Sequence, residues 1–245
     1  MKACFPQREG EMGSKVFNRG LIKPAVVAAL AALSVAAIPA TGAQAAVRKL
    51  VKIDYCNPVF ADQQVTPRMN PDSSELSVNC LVNRARVANG VPPLTRGPGH
   101  VEAGRYIYPP LRNSATAHAK ASIAAKSWSL TRGLVSHLNP GTAVPGDDAS
   151  LQQLANQQID QRIRGAGYCA GGRSYRDAEN TYAGWGTGAT ARSAVNFWLN
   201  DPPHRAVLLD PNLREHGVGV VAGSPFPGVA DTGAAAFVED LGACS

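Results

Sequence analysis

The chain has 245 residues, 44% apolar and 6% aromatic, with 24 Lys+Arg against 18 Asp+Glu and a formal net charge of +6. Five of those bases (Lys2, Arg8, Lys15, Arg19, Lys23) and two of the acids (Glu9, Glu11) lie in the first 45 residues, leaving 19 bases against 16 acids, an excess of +3. That excess does not support nucleic-acid binding on charge alone, the apolar content argues against disorder throughout, and the length allows one domain, with or without a tail.

The chain opens with a basic segment, Lys15–Lys23, then an apolar run, Ala25–Ala37, then Pro39 and the small-x-small triplet Ala43-Gln44-Ala45. This is the order of a secretory signal peptide. The apolar run is short of the roughly 20 residues a membrane span needs. The expected organisation is therefore a signal peptide over 1–45, an extended arm over 46–72 and a domain over 73–245. Both Met1 and Met12 remain open as the start. Cleavage after Ala45 removes Cys4 and leaves Cys56, Cys80, Cys169 and Cys244. An even number in an exported chain points to disulfides. Three pairings are open. The preferred one joins Cys56 to Cys80, stapling the extension to the first helix, and Cys169 to Cys244, tying back the last residues. No C-x2-C pair occurs, so these cysteines are weak metal candidates.

Beyond the arm, which Pro58, Pro67 and Pro71 interrupt, Asp72 and Glu75 read as an acidic capping box. A helix follows over Leu76–Asn89, stopped by Gly90. Residues 95–109, rich in Gly and Pro, read as loop. Leu111–Lys126 is alanine-rich and helical, and Ala149–Arg164 is a polar helix closed by Gly165. Ala189–Asn200 is a short helix that Pro202-Pro203 ends. Gly217–Val221 and Ala234–Glu239 are apolar runs that read as a hairpin. Periodicity gives no strand near Glu179–Tyr182. Helices first and strands late make the class α+β.

Short motifs then fall in one order: LVNRARVANGVPPL (81–94), AHAKASIAAK (117–126), Ser136-His137 with Asn139-Pro140-Gly141, RIRGAGY (162–168), Ala178-Glu179-Asn180, FWLNDPPHRAVLLDP (197–211), EHGVGV (215–220) and FVEDLG (237–242). This series resembles the bacterial branch of the CAP superfamily, the SCP-like extracellular domain shared by cysteine-rich secretory, antigen 5 and pathogenesis-related 1 proteins. The resemblance covers about Ser73–Cys244. It implies a three-layer α-β-α sandwich with a small antiparallel sheet, and a cleft lined by two histidines and two acids. His137 and His204 match the histidines, and Glu179 matches the first acid. Asp201 is the candidate for the second acid, with Glu215 as the alternative on the rim. Of the other histidines, His118 is expected to pack within its helix, His216 departs from the family pattern, and His100 lies in the unmatched insertion.

Two imidazoles in an open cleft offer neutral nitrogen ligands to a Zn2+-like ion. A nearby carboxylate can orient an imidazole, ligate the ion or hold a water. The same groups can act as acid and base. No G-x-S-x-G, H-E-x-x-H or phosphate-binding glycine loop is present. The reading ranked first is a secreted, non-enzymatic ligand-binding or interaction module. It requires no cofactor, but its cleft is able to hold a weakly bound divalent cation, Zn2+ or Mg2+. The resemblance implies a small hydrophobic ligand such as a lipid or sterol, or a cell-surface component, as partner. No nucleic acid and no transmembrane segment in the mature protein are expected. A secreted hydrolase using His137, Glu179 and His204 is the second reading. A structural cell-envelope protein with a vestigial cleft is the third.

Overall fold

The computed structural model describes residues 54–96, 100–102, 105–107, 109–171 and 174–245, without the side chains of 100–107. The expected signal peptide, Cys4, the alternative start at Met12 and the first part of the expected arm lie outside these residues. So does the side chain of His100. The preferred pairing of the four remaining cysteines is present: Cys56 is bonded to Cys80 and Cys169 to Cys244.

In chain order the elements are α1 (Pro58–Ala61), α2 (Pro71–Ala88), β1 (Thr95–Arg96), β2 (His100–Glu102), β3 (Arg105–Ile107) and α3 (Pro110–Ala125). A 3-10 turn, Gly133–His137, then precedes α4 (Asp148–Gly165) and β4 (Tyr175–Trp185). The chain closes with α5 (Ala191–Asn200), α6 (Pro202–Leu208), β5 (Glu215–Ala222) and β6 (Ala234–Cys244). The main sheet has the order β1-β5-β6-β4. Its three long strands are antiparallel, and the two-residue β1 runs parallel to β5. The sheet is thus mixed at one edge rather than purely antiparallel.

Alternation along the strands divides the core into two layers. Val218, Val220, Phe237 and Leu241 face Val78 and Val82 of α2, Trp198 of α5 and Leu208 of α6. Ala236 and Val238 face the other way, onto Ala115 and Ala119 of α3, with Trp128 and Phe226. Helix α4 buries Ile159 and Ile163 against Leu111 of α3. The result is the expected α+β, three-layer sandwich. Gly217 and Gly219 explain how α3 comes so close to β5: a Cβ on Gly217 would lie 2.0 Å from the Arg112 backbone nitrogen, and one on Gly219 2.4 Å from that of Thr116.

Several local expectations differ from the structure. The cap of α2 is Asn70, whose Oδ1 accepts the Asp72 N–H at 3.0 Å, with Pro71 in the first turn, where a missing N–H costs nothing. Glu75 is no capping-box partner; it is buried and bonded to Arg112 at 2.5 Å. The expected arm is part of the folded body from residue 54 onward, because Cys56, Ala61 and Val65 are buried and the Val65 N–H bonds the Ala189 carbonyl. Inside the expected loop at 95–109, β2 and β3 form a small antiparallel hairpin. Pro202-Pro203 ends α5 but also opens α6, since proline is suited to a helix's first turn. Strand β4 occupies the stretch where periodicity showed none.

Candidate functional site

His137 ends the 3-10 turn, and that turn is pinned to the sheet. Ser136 Oγ lies 2.6 Å from the Gly133 carbonyl, to which it donates, and 2.7 Å from Thr181 Oγ1 of β4. Neither contact is to a histidine, so Ser136 is not arranged as the nucleophile of a Ser-His pair. Two positions before Thr181, on the same face of β4, stands Glu179, whose side chain has no exposed surface. Its Oε1 is 2.9 Å from His137 Nδ1. An ionised carboxylate only accepts, so His137 carries its hydrogen on Nδ1.

A charge buried in that position needs compensation. Arg162, in the last turn of α4, supplies it. Its Nη2 donates to both oxygens of Glu179, at 2.9 and 2.8 Å, and its Nη1 donates to the His137 carbonyl at 2.9 Å and to Asn139 Oδ1 at 3.0 Å. Burial alone would raise the Glu179 pKa. The Arg162 guanidinium, then His118 and His137, outweigh it and hold the carboxyl well below the usual carboxylate range. Asp240 pairs with Glu179 across the sheet and is also fully buried. Burial and the Glu179 charge push its pKa well above the ordinary value. The pair therefore resolves into one anion and one neutral acid, the arrangement expected of adjacent buried carboxyls.

His204 lies in the first turn of α6. Its Nδ1 is 2.6 Å from Asp201 Oδ2, at the junction of α5 and α6. Burial lowers its pKa, with Asp201 acting in the opposite sense, so the ring is neutral at pH 7. The His137 and His204 rings stand 6.5 Å apart between centroids, and Phe197 packs 5.3 Å from the His204 ring. Both imidazoles thus use Nδ1 on a carboxylate, and each Nε2 is without a hydrogen-bond partner among the described residues. The site is a narrow notch: the two side chains are only 11% and 20% exposed, less open than the expected cleft.

The structure therefore brings His137, Glu179, His204 and Asp201 together as two carboxylate–imidazole pairs. It does not bring in Glu215, whose carboxylate takes the Tyr168 hydroxyl at 2.6 Å. That bond, after burial, drives the tyrosine pKa up. Donor atoms of three His, Cys, Asp or Glu residues come within 4.8 Å of one another in one place among the described residues, at Asp54, Cys56 and Cys80, where the two sulfurs are bonded together. The four notch residues do not form such a group. Two surface depressions, one around Pro202 and Arg205 and one around Arg192 and Asn196, do not include the notch residues.

Sequence reasoning missed Arg162 and Asp240. Arg162 stands inside the RIRGAGY motif, yet an arginine in the last turn of a helix, here with Arg164 beside it, reads as a solvated charge; only its burial reveals its part. Asp240 likewise sits in FVEDLG, where an alternating pattern would have placed it opposite Glu239. His118 does pack, but across the layers: its Nε2 is 2.7 Å from the Ser136 carbonyl. His216, which departs from the family pattern, is buried on the other sheet face, 2.7 Å from Glu239 Oε1 and 2.6 Å from Asn79 Nδ2. It is a satisfied core histidine.

Residues 147–229 match the family model described as "CAP: Cysteine-rich secretory protein family". No curated protein matches the chain. Among solved structures, an outer surface protein from Borrelia burgdorferi is 15% identical over 72% of this chain and 97% of its own, with a TM-score of 0.46. An extracellular SCP-domain protein from Bacillus anthracis is 16% identical, with 72% of this chain and 44% of that chain covered and a TM-score of 0.43. A cysteine-rich secretory protein from Staphylococcus aureus is 14% identical, with coverage of 73% and 41% and a TM-score of 0.38. This chain therefore spans less than half the length of the last two.

Proposed function

For a chain whose residues 147–229 match the CAP family model, we propose an exported ligand-binding or interaction module whose His137–His204 notch is a weak site for a divalent cation of the Zn2+ type. The observation that carries this reading is the pair of adjacent imidazoles, each bonded through Nδ1 to a carboxylate, with both Nε2 atoms left over. Metal-ligating histidines commonly have this second-shell support, which fixes the tautomer and aims the lone pair. Two nitrogen donors suit Zn2+ better than Mg2+, which prefers oxygen, and here both carboxylates are engaged with the rings. With two protein ligands the ion would keep open positions, available to water or to a group from a partner.

Export is supported by the leader-like order of residues 1–45 and by the two disulfides. Among the described residues no helix is long and apolar enough to cross a membrane.

Calorimetric titration of the purified protein with Zn2+ tests the cation site. Saturable weak binding is expected, and it should vanish in the His137→Ala/His204→Ala double variant. Identical titrations for variant and wild type would remove the site. N-terminal sequencing of protein recovered from the medium should begin at Ala46; an intact leader on the released protein would contradict export by cleavage.

A further inference from the structure

The Arg162 guanidinium is more than a counter-charge. It is 12% exposed, and a single fork holds three different parts of the notch: the Glu179 carboxylate through both oxygens, the main chain of His137 through its carbonyl, and the following turn through Asn139. We infer that Arg162 is the positioning residue of the notch: by occupying both Glu179 oxygens with donors, it keeps that carboxylate an acceptor, and so makes His137 present a bare Nε2 to a cation beside His204. This inference rests on the cation-site reading for its consequence, but not for its geometry.

Glu179 Oε1 already takes Arg162 Nη2 and His137 Nδ1, and Oε2 takes Arg162. An arginine offers only donors, in a fixed plane that matches a carboxylate. While it is in place, the atom of His137 that meets Glu179 must be the one carrying hydrogen. Ring orientation is restrained at the other end as well, because the same guanidinium holds the backbone carbonyl of His137. No other described group bonds both Glu179 and the His137 main chain. The role also assigns the carboxylate: Glu179 stands behind His137 as its orienting partner, not beside it as a further ligand. This agrees with the absence of a three-donor cluster at the notch among the described residues. A lysine would bring the charge but only one point of contact, so it would not hold both Glu179 and the His137 backbone.

The test uses two readouts on the intact protein. The first is the tautomer of His137 in the metal-free state at pH 8, read from long-range proton–nitrogen NMR of the ring. Wild type is expected to show hydrogen on Nδ1 and a bare Nε2. In Arg162→Met the carboxyl is no longer held as an acceptor, and the form with hydrogen on Nε2 should appear. The second is the Zn2+ dissociation constant, expected to weaken about 10- to 100-fold, as for other losses of second-shell support. Arg162→Lys should keep the Nδ1–H form but recover only part of the affinity. If Arg162→Met does not fold, the lysine variant decides on the same readouts, and wild-type behaviour in both would overturn the inference. A wild-type His137 with hydrogen on Nε2, or an Arg162→Met protein that folds and keeps both tautomer and affinity, would also overturn it. A tautomer that depends on Arg162 in a protein that does not bind Zn2+ would instead sink the cation-site reading and leave the positioning role standing.

Discussion

Glu179 shows how one residue's environment decides its chemistry. It lies out of water yet remains ionised because the Arg162 guanidinium donates to both its oxygens and His137 donates to one of them. A few ångströms of placement separate it from Asp240, which has no comparable cation and keeps its proton. His118 carries a testable consequence of the same crowding. Burial lowers its pKa from an ordinary 6.5. In the unfolded chain the ring recovers that ordinary value, so below about pH 6.5 the unfolded state binds the extra proton more readily. Stability from a neutral His118 is thus present above pH 6.5 and is lost as the pH falls toward the folded-state pKa. The loss has a ceiling of about 1.4 kcal/mol per pH unit for one proton. The urea midpoint of His118→Gln should fall less between pH 7 and pH 5 than that of wild type, and an equal fall would show that His118 does not carry the effect. Of the residues in the notch, His137, Glu179, Asp201 and His204 were legible in the sequence through their motifs. Arg162 was not, because burial of an arginine leaves no mark on sequence spacing.

Helix α3 and strand β5 approach so closely that no side chain fits between their backbones at Gly217 or Gly219. The glycines of the GVGVV stretch alternate with its valines. Val218 and Val220 therefore enter one core layer while Gly217 and Gly219 leave room for α3 on the other face. Gly219→Ala would place a methyl against the Thr116 backbone, which cannot turn aside as a side chain can. A cost of about 3 kcal/mol, the upper end of ordinary overpacking, is expected in urea denaturation; a change below about 0.5 kcal/mol would mean that α3 shifts freely. Helix α3 was legible from its alanine content, and α2, α4 and α5 from helical patterns that end at Gly90, Gly165 and Pro202-Pro203. Strand β4 was hidden, because Asp177, Glu179 and Asn180 put polar groups where a buried strand usually shows apolar ones. Each of those polar groups has a partner only in the folded state: Tyr175 for Asp177, Arg162 and His137 for Glu179, and Glu239 for Asn180. Helix α6 was hidden for a different reason, since the proline pair that starts it also reads as the end of α5.

At the scale of the whole molecule, the two disulfides close loops of unequal size, with sequence separations of 24 and 75. If chain entropy dominates, the longer loop contributes more, and removal of a native bridge costs about 2–5 kcal/mol. Cys169→Ser/Cys244→Ser should therefore lower the urea midpoint more than Cys56→Ser/Cys80→Ser does; the reverse order would show that local packing at Cys56, not loop entropy, sets the balance. Peptide mapping without reductant should recover both bridges as drawn.

By itself the sequence determined the class, the main helices, the hairpin of β5 and β6, and four residues of the notch. These are local matters, carried by periodicity, capping chemistry and ordered motifs. The tertiary structure alone decided that residues 54–71 belong to the body and that Glu215 pairs with Tyr168 instead of joining the notch. It also decided that Arg162 turns inward to hold Glu179 and His137. Each of those outcomes depends on which groups lose their water when the layers close, and desolvation is set by neighbours that lie far apart along the chain.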